Sequence, residues 1–149
     1  MSAIVLRDPQ ATEAFGRSLA PLLRAGDAVA LFGRLGAGKT SLCRGVLHGL
    51  GFGGDVASPT FPIVQVYEPP DVALPVWHVD LYRIEEPDEL EELGLGEALG
   101  EAALLIEWPE RLPWLWPGTL RLTIGDAAAG GRNLTASIPP AWGNRWPPR

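Results

Sequence analysis

The chain is poor in three side chains that usually widen the list of possibilities. Among 149 residues it has one cysteine, Cys43, one methionine and one lysine, Lys39. A lone cysteine closes no internal disulfide, which fits a reducing compartment, and a cytoplasmic location is expected. Cys43 itself reads as a buried, bland thiol inside a helix. No stretch approaches the 18 or so apolar residues of a membrane span, and the first residues show neither a charged leader nor a cleavage pattern, so no signal peptide is read. Positive charge is in deficit as well: 12 Lys and Arg against 18 Asp and Glu give a net charge of −6. A surface that coats nucleic acid needs a basic footprint, so direct binding of that kind is not expected. No internal repeat is visible, and the length suits one domain with a proper core.

The scarcity of lysine carries information, because all eleven other basic residues are arginine. Lys39 stands in Gly33-Arg34-Leu35-Gly36-Ala37-Gly38-Lys39-Thr40, which fits the phosphate-cradling pattern G-x-x-x-x-G-K-[ST]. A compact ammonium fits between phosphates where a planar guanidinium would be too large. The flanks agree: 28–32 is a short apolar run that predicts a buried strand, and apolar residues at 42, 43, 46 and 47 predict a helix. Glycines let backbone N–H groups converge on an anion, and the helix N-terminus adds partial positive charge. Gly33, Leu35, Gly36, Ala37, Gly38, Lys39 and Thr40, with Ser41 behind them, are therefore candidate nucleotide contacts. Lys39 would reach the β- and γ-phosphates, and Thr40 would ligate Mg²⁺.

Around the loop the chain alternates strand and helix. A strand is expected over 4–6, then a helix with Asp8 as N-cap and Pro9 in the first position, ending before Gly26-Asp27. The helix after the loop runs to about Leu50. Ser58-Pro59-Thr60 is a stiff polar segment where Thr60 could offer its hydroxyl to Mg²⁺ or phosphate; the bland alternative is a plain turn. Strands follow over 63–67 and 76–80, and the second ends in Asp80. Residues 85–92 are strongly acidic, a solvated helix face or a docking face for a partner. Residues 102–106 form an apolar strand ending in Glu107, the physical form of a carboxylate held at a sheet edge for Mg²⁺. Strands over 119–124 and 133–138 are expected to pair as an antiparallel hairpin, and the tail 139–149 lacks periodicity and is expected to be loosely ordered.

Asp80 and Glu107 both end apolar strands, so one can hold metal while the other orients or deprotonates a water. Glu107, with the purer apolar run, is the choice for metal. Asp80 is the candidate for water activation, with direct metal contact its rival role. His78 shares a strand face with Asp80 and reads as a packing or hydrogen-bonding residue rather than a catalytic base. With no lysine outside the loop, the N-K-x-D motif of guanine-specific GTPases is absent, as is an L-S-G-G-Q-like transporter signature.

Four motifs in order carry a resemblance: the 33–40 loop, Ser58-Pro59-Thr60-Phe61, His78-Val79-Asp80-Leu81-Tyr82-Arg83, and Ile106-Glu107-Trp108-Pro109-Glu110. Together they resemble the TsaE (YjeE) family of small bacterial ATPases required for N6-threonylcarbamoyladenosine at position 37 of tRNA, over roughly residues 10 to 138. The resemblance implies a single α/β, P-loop NTPase-like three-layer domain over 1–138, with a mainly parallel central sheet and an antiparallel C-terminal hairpin. It implies weak ATP hydrolysis with Mg²⁺ in support of the TsaD–TsaB complex, with tRNA involved only through that complex. By the same resemblance Lys39 and Thr40 serve phosphate and Mg²⁺, Glu107 serves Mg²⁺, Asp80 serves hydrolysis, Thr60 belongs to a switch segment, and Trp108 lies beside the nucleotide. Thr12 and Arg132 match family positions near the nucleotide. Arg34 and Pro62 depart from the family pattern, but neither removes a phosphate ligand. A P-loop kinase of a small metabolite remains the alternative, and a nucleotide-gated binding module is a third reading.

Overall fold

The computed structural model describes residues 3–59 and 63–148. Thr60, of the anticipated switch segment, lies outside the described residues. Strands β1 (Ile4–Leu6), β2 (Ala28–Phe32), β3 (Val64–Tyr67), β4 (Val76–Asp80), β5 (Ala103–Glu107), β6 (Leu120–Asp126) and β7 (Arg132–Ser137) form one seven-stranded sheet in the order β1-β7-β6-β2-β5-β4-β3. Helices α1 (Pro9–Leu19) and α2 (Lys39–Gly49) cover one face, and the short helices α3 (Pro87–Glu92) and α4 (Leu95–Ala98) lie against the other. This is a mixed α/β single-domain sheet. No helix among the described residues is long and apolar enough to cross a membrane.

The side-chain alternation of β5 divides the core in two. Ala103 and Leu105 join Leu42, Val46 and Leu47 of α2, while Leu104 and Ile106 join Leu95 and Ala98 of α4. All five residues of β5 are buried, as expected for a central strand with both faces covered. Helix α1 starts as its sequence predicts: Asp8 Oδ1 accepts from the Ala11 N–H at 2.8 Å, and Pro9 occupies the first turn.

The sheet is less parallel than the sequence suggested. The parallel centre is β6-β2-β5-β4, and β6 and β7 form the antiparallel hairpin expected, but β3 is antiparallel to β4 and β1 is antiparallel to β7. The cause at β3 is chain length. Only the eight residues 68–75 join β3 to β4, and a parallel crossover needs about a dozen or more.

The tail also differs from expectation. Residues 140–145 make a 3₁₀ segment whose Trp142 is 1% exposed within the main core cluster. Arg145 Nη1 donates to Asp27 Oδ2 at 2.7 Å and to the Leu22 carbonyl at 2.8 Å, while its guanidinium carbon lies 4.1 Å from the centre of the Trp142 ring. One large apolar anchor and one buried ion pair fix this segment, and neither needs periodicity.

Candidate functional site

Register builds the site. β4 and β5 run parallel with Asp80 opposite Glu107, and β2 places Leu31 opposite Glu107 on the other side. Alternation then turns His78, Asp80 and Glu107 toward the same face as Ala103 and Leu105, the face covered by α2. Between β2 and α2 the glycine-rich loop passes over the carboxyl end of the strands. Gly36 (φ 82°) and Gly38 (φ 113°) sit in left-handed conformations that L side chains rarely adopt. The loop delivers Lys39 and Thr40 as the first two residues of α2, directly above Glu107.

The resulting contacts are short. Thr40 Oγ1 lies 3.0 and 3.1 Å from the two oxygens of Glu107 and donates to that carboxylate. Lys39 Nζ donates to the Gly33 carbonyl at 2.6 Å and stands 3.5 Å from the centre of the Trp108 ring. Trp108 reaches that position from a left-handed backbone (φ 60°) at the end of β5, and Tyr82 packs against it at 4.8 Å. Asp80 accepts from the Ser58 hydroxyl and, at 2.9 Å, from the Tyr82 N–H. Burial holds the Lys39 ammonium below the usual lysine range, opposed by the carboxylates of Glu107, Glu110 and Asp80 and by Cys43.

A cleft of about 190 Å³ gathers most of the candidate residues: Leu35, Gly36, Gly38, Lys39, Thr40, Asp80, Glu107 and Trp108. Thr12 and Arg132 lie elsewhere, in a neighbouring hollow of about 280 Å³ that shares Gly36 with the cleft and includes Ala37. Arg132 Nε donates to the Ala37 carbonyl at 3.2 Å, fixing the back of the loop to β7. Gly33 contributes its carbonyl to Lys39, and Ser41 lines neither hollow.

Two residues, Ser58 and Tyr82, were not among the candidates drawn from sequence. Ser58 bridges the two carboxylates, bonding Asp80 and lying 3.5 Å from Glu107 Oε2. Its place in a stiff Ser-Pro-Thr was the available signal. Tyr82, two residues after Asp80, supplies both the N–H for that carboxylate and the ring behind Trp108. His78, read from sequence as a packing or hydrogen-bonding residue, is fully buried and bonds Glu107 Oε2 through Nε2 at 2.7 Å. Among the described residues its Nδ1 has no partner, and a proton on Nε2 makes the bond to the carboxylate.

Thr40, Glu107 and Asp80 offer hydroxyl and carboxylate oxygens, the donor set of a hard cation such as Mg²⁺. Cys43, His78 and Glu107 also bring ligand atoms within 4.8 Å of one another. The sulfur of that group is fully buried beneath the helix, and desolvation pushes its pKa well up, so it is poorly placed to ionise.

Fold and site together define a class: a single-domain α/β protein with one acidic cleft at the carboxyl ends of its parallel strands, roofed by a glycine-rich loop and holding a buried lysine. Comparison with known proteins narrows this further. The family model described as "Threonylcarbamoyl adenosine biosynthesis protein TsaE" matches residues 6–134, and the chain belongs to the TsaE family. Among relatives named tRNA threonylcarbamoyladenosine biosynthesis protein TsaE, that of Streptomyces coelicolor is 44% identical, covering 88% of this chain and 90% of its own length. That of Bacillus subtilis is 38% identical over 93% and 85% of the two chains. The crystal structure of Bacillus subtilis YdiB superposes with a TM-score of 0.76 at 29% identity, covering 95% of this chain and 88% of that one.

Proposed function

We propose that this chain is a P-loop ATPase that binds ATP with Mg²⁺, hydrolyses it slowly, and so supports the TsaD–TsaB complex in N6-threonylcarbamoyladenosine modification of tRNA. The observation that carries the reading is the Thr40–Glu107 hydrogen bond. It joins the loop hydroxyl and the strand-end carboxylate, the two groups expected to share one Mg²⁺ ion. Family membership and the tRNA-modification names of the relatives support the biological setting.

The division of labour follows from the contacts. Lys39, freed from the Gly33 carbonyl, binds the β- and γ-phosphates, and the loop N–H groups complete the cradle. Thr40 and Glu107 hold Mg²⁺, which supplies charge neutralisation on the transferring phosphoryl group. Asp80, kept in one orientation by Ser58 and the Tyr82 N–H, orients the attacking water and draws on its proton. Thr60 belongs with this group by sequence. The hollow of Thr12 and Arg132 adjoins the loop and suits the nucleoside. A slow rate is consistent with a cleft that, among the described residues, is lined by one lysine and no arginine. The single cysteine and an ATP substrate support a cytoplasmic setting.

The test is ATP hydrolysis by the purified chain with and without added TsaD–TsaB. Slow Mg²⁺-dependent release of phosphate, altered by the complex and accompanied by co-elution, is the expected result. ADP release only in step with a phosphorylated small acceptor would make it a metabolite kinase. No hydrolysis, together with full cellular function of a Glu107→Ala variant, would make it a nucleotide-gated binding module.

A further inference from the structure

A hollow of about 470 Å³ lies away from the cleft just described. It lies between α3, α4 and the 112–116 segment, with walls from Leu90, Leu95, Leu112, Pro113, Trp114 and Trp116. Trp114 is 62% exposed, an unusual setting for the largest apolar side chain. Glu91 and Glu97 stand on the rim, within a local excess of one charge. Residues 84–101 hold eight carboxylates (Glu85, Glu86, Asp88, Glu89, Glu91, Glu92, Glu97, Glu101) and no lysine or arginine. Among the described residues, none of the eight takes part in an ion pair.

We propose that this groove receives a short basic amphipathic segment of a partner protein, an apolar anchor flanked by Lys or Arg. The apolar walls supply a seat for the anchor, and the unpaired carboxylates supply the charge that such a segment lacks. A merely solvated surface gains most from interspersed signs; eight like charges in one short segment, two of them lining the groove, repel one another until a cation arrives. The same field turns away RNA and anionic lipid, whose phosphates carry the wrong sign. It also disfavours a second copy of this chain, which would bring another net charge of −6.

Among the described residues the groove and the acidic cleft have no lining residue in common, but one apolar cluster adjoins both. Leu112 and Trp116 pack in the same apolar cluster as Trp108, the ring over Lys39, and Arg111 at the head of the segment donates to the Tyr82 carbonyl at 3.1 Å. Binding of a segment in the groove does not depend on the nucleotide reading.

The test is a ¹⁵N NMR titration of the whole chain with a synthetic helical peptide of about twelve residues, Leu and Trp on one face and Lys and Arg on the other. The expected result is saturable change at the Trp114 and Trp116 indole N–H signals and at backbone signals of 87–97. The Glu91→Lys/Glu97→Lys variant, whose sites are exposed and whose melting should match the parent, should bind roughly tenfold more weakly. So should a peptide with its basic residues replaced by Glu. Changes centred elsewhere, equal affinity in the charge-reversed variant or peptide, or tighter binding of an oligoribonucleotide than of the basic peptide would overturn the proposal.

Discussion

Replacing Gly45 by alanine should damage both the fold and the cleft, and the structure gives the size of the effect. Gly45 lies in α2 where the helix crosses α1, and a Cβ built there meets the Glu13 carbonyl oxygen at 2.0 Å and the Glu13 carbonyl carbon at 2.8 Å. An ordinary carbon–oxygen approach is about 3.3–3.6 Å, so the helices must part by roughly 1 Å or more. The opposing atoms are backbone, so no rotamer change relieves the clash. Alanine gains about 1 kcal/mol of helix propensity over glycine, whereas overpacking costs about 1–3 kcal/mol and more against rigid backbone. At the upper end of that range, where rigid backbone puts it, the net loss is about 2 kcal/mol, which lowers Tm by roughly 4–8 °C in a chain of this size. Displaced α2 also carries Thr40 away from Glu107, whose contact of 3.0 Å has no slack. Thermal and urea melts measure the first effect and calorimetric ATP titration the second. Gly53→Ala, with nothing within 4 Å of the added carbon, is the control and should move stability by less than about 0.5 kcal/mol. A Gly45→Ala protein as stable as that control would refute the argument that backbone contact between α1 and α2 seats the loop.

Lys39→Ala should lose ATP binding by about a hundredfold while melting within about 1 kcal/mol of the parent, because the ammonium is held in a site that disfavours its charge. Lys39→Arg should fail as well, and calorimetry on both variants checks the pair. The pH response follows from the lowered Lys39 pKa. Between its folded value and 10.5 the unfolded chain holds the extra proton, so this group's contribution to stability rises with pH across that window. ATP binding needs the ammonium and should weaken over the same window. Melting and affinity measured upward from about pH 8, with Lys39→Met as reference, should diverge in the parent and not in the variant. Arg145→Ala removes the partner of a buried carboxylate and should cost about 3 kcal/mol, read by urea melting, with ATP affinity retained.

What sequence revealed best was whatever is specified locally. The loop pattern, its strand and helix, and the Asp8 cap depend on residues within a few positions of one another, and the structure places all of them as read. The strand-end carboxylates were also legible, since an apolar run closed by an acid has few other meanings. The pairing of β3 with β4 was not read, although the eight-residue connection that forces it was in view. Thr12 and Arg132 could be linked to the loop only by family resemblance, because their closeness to it depends on α1 and β7, which are far apart in sequence, both approaching the loop. Ser58 and Tyr82 were hidden by the same limit: each matters through a contact with Asp80 that no periodicity encodes. The tail was misjudged because Trp142 and Arg145 act singly, and pattern reading weighs repeats.

The negative charge of the chain serves two ends, which burial separates. Asp80 and Glu107 are each 3% exposed and face Lys39 across a narrow cleft, where they are costly to hold and form a site that gains from an arriving cation. They are tolerated because hydroxyls, an N–H and an imidazole already satisfy their oxygens. Among the described residues the carboxylates of 84–101 meet no such partners, and in water they add little to stability but set a long-range field. Salt therefore distinguishes the two groups. Contacts inside the cleft are shielded from it by burial, while attraction of a basic segment to the groove fades as the Debye length shortens to about 3 Å at molar ionic strength. Trp108 stands between them, packed on Lys39 on one side and on the groove's cluster on the other, so the two charge systems meet through one apolar ring.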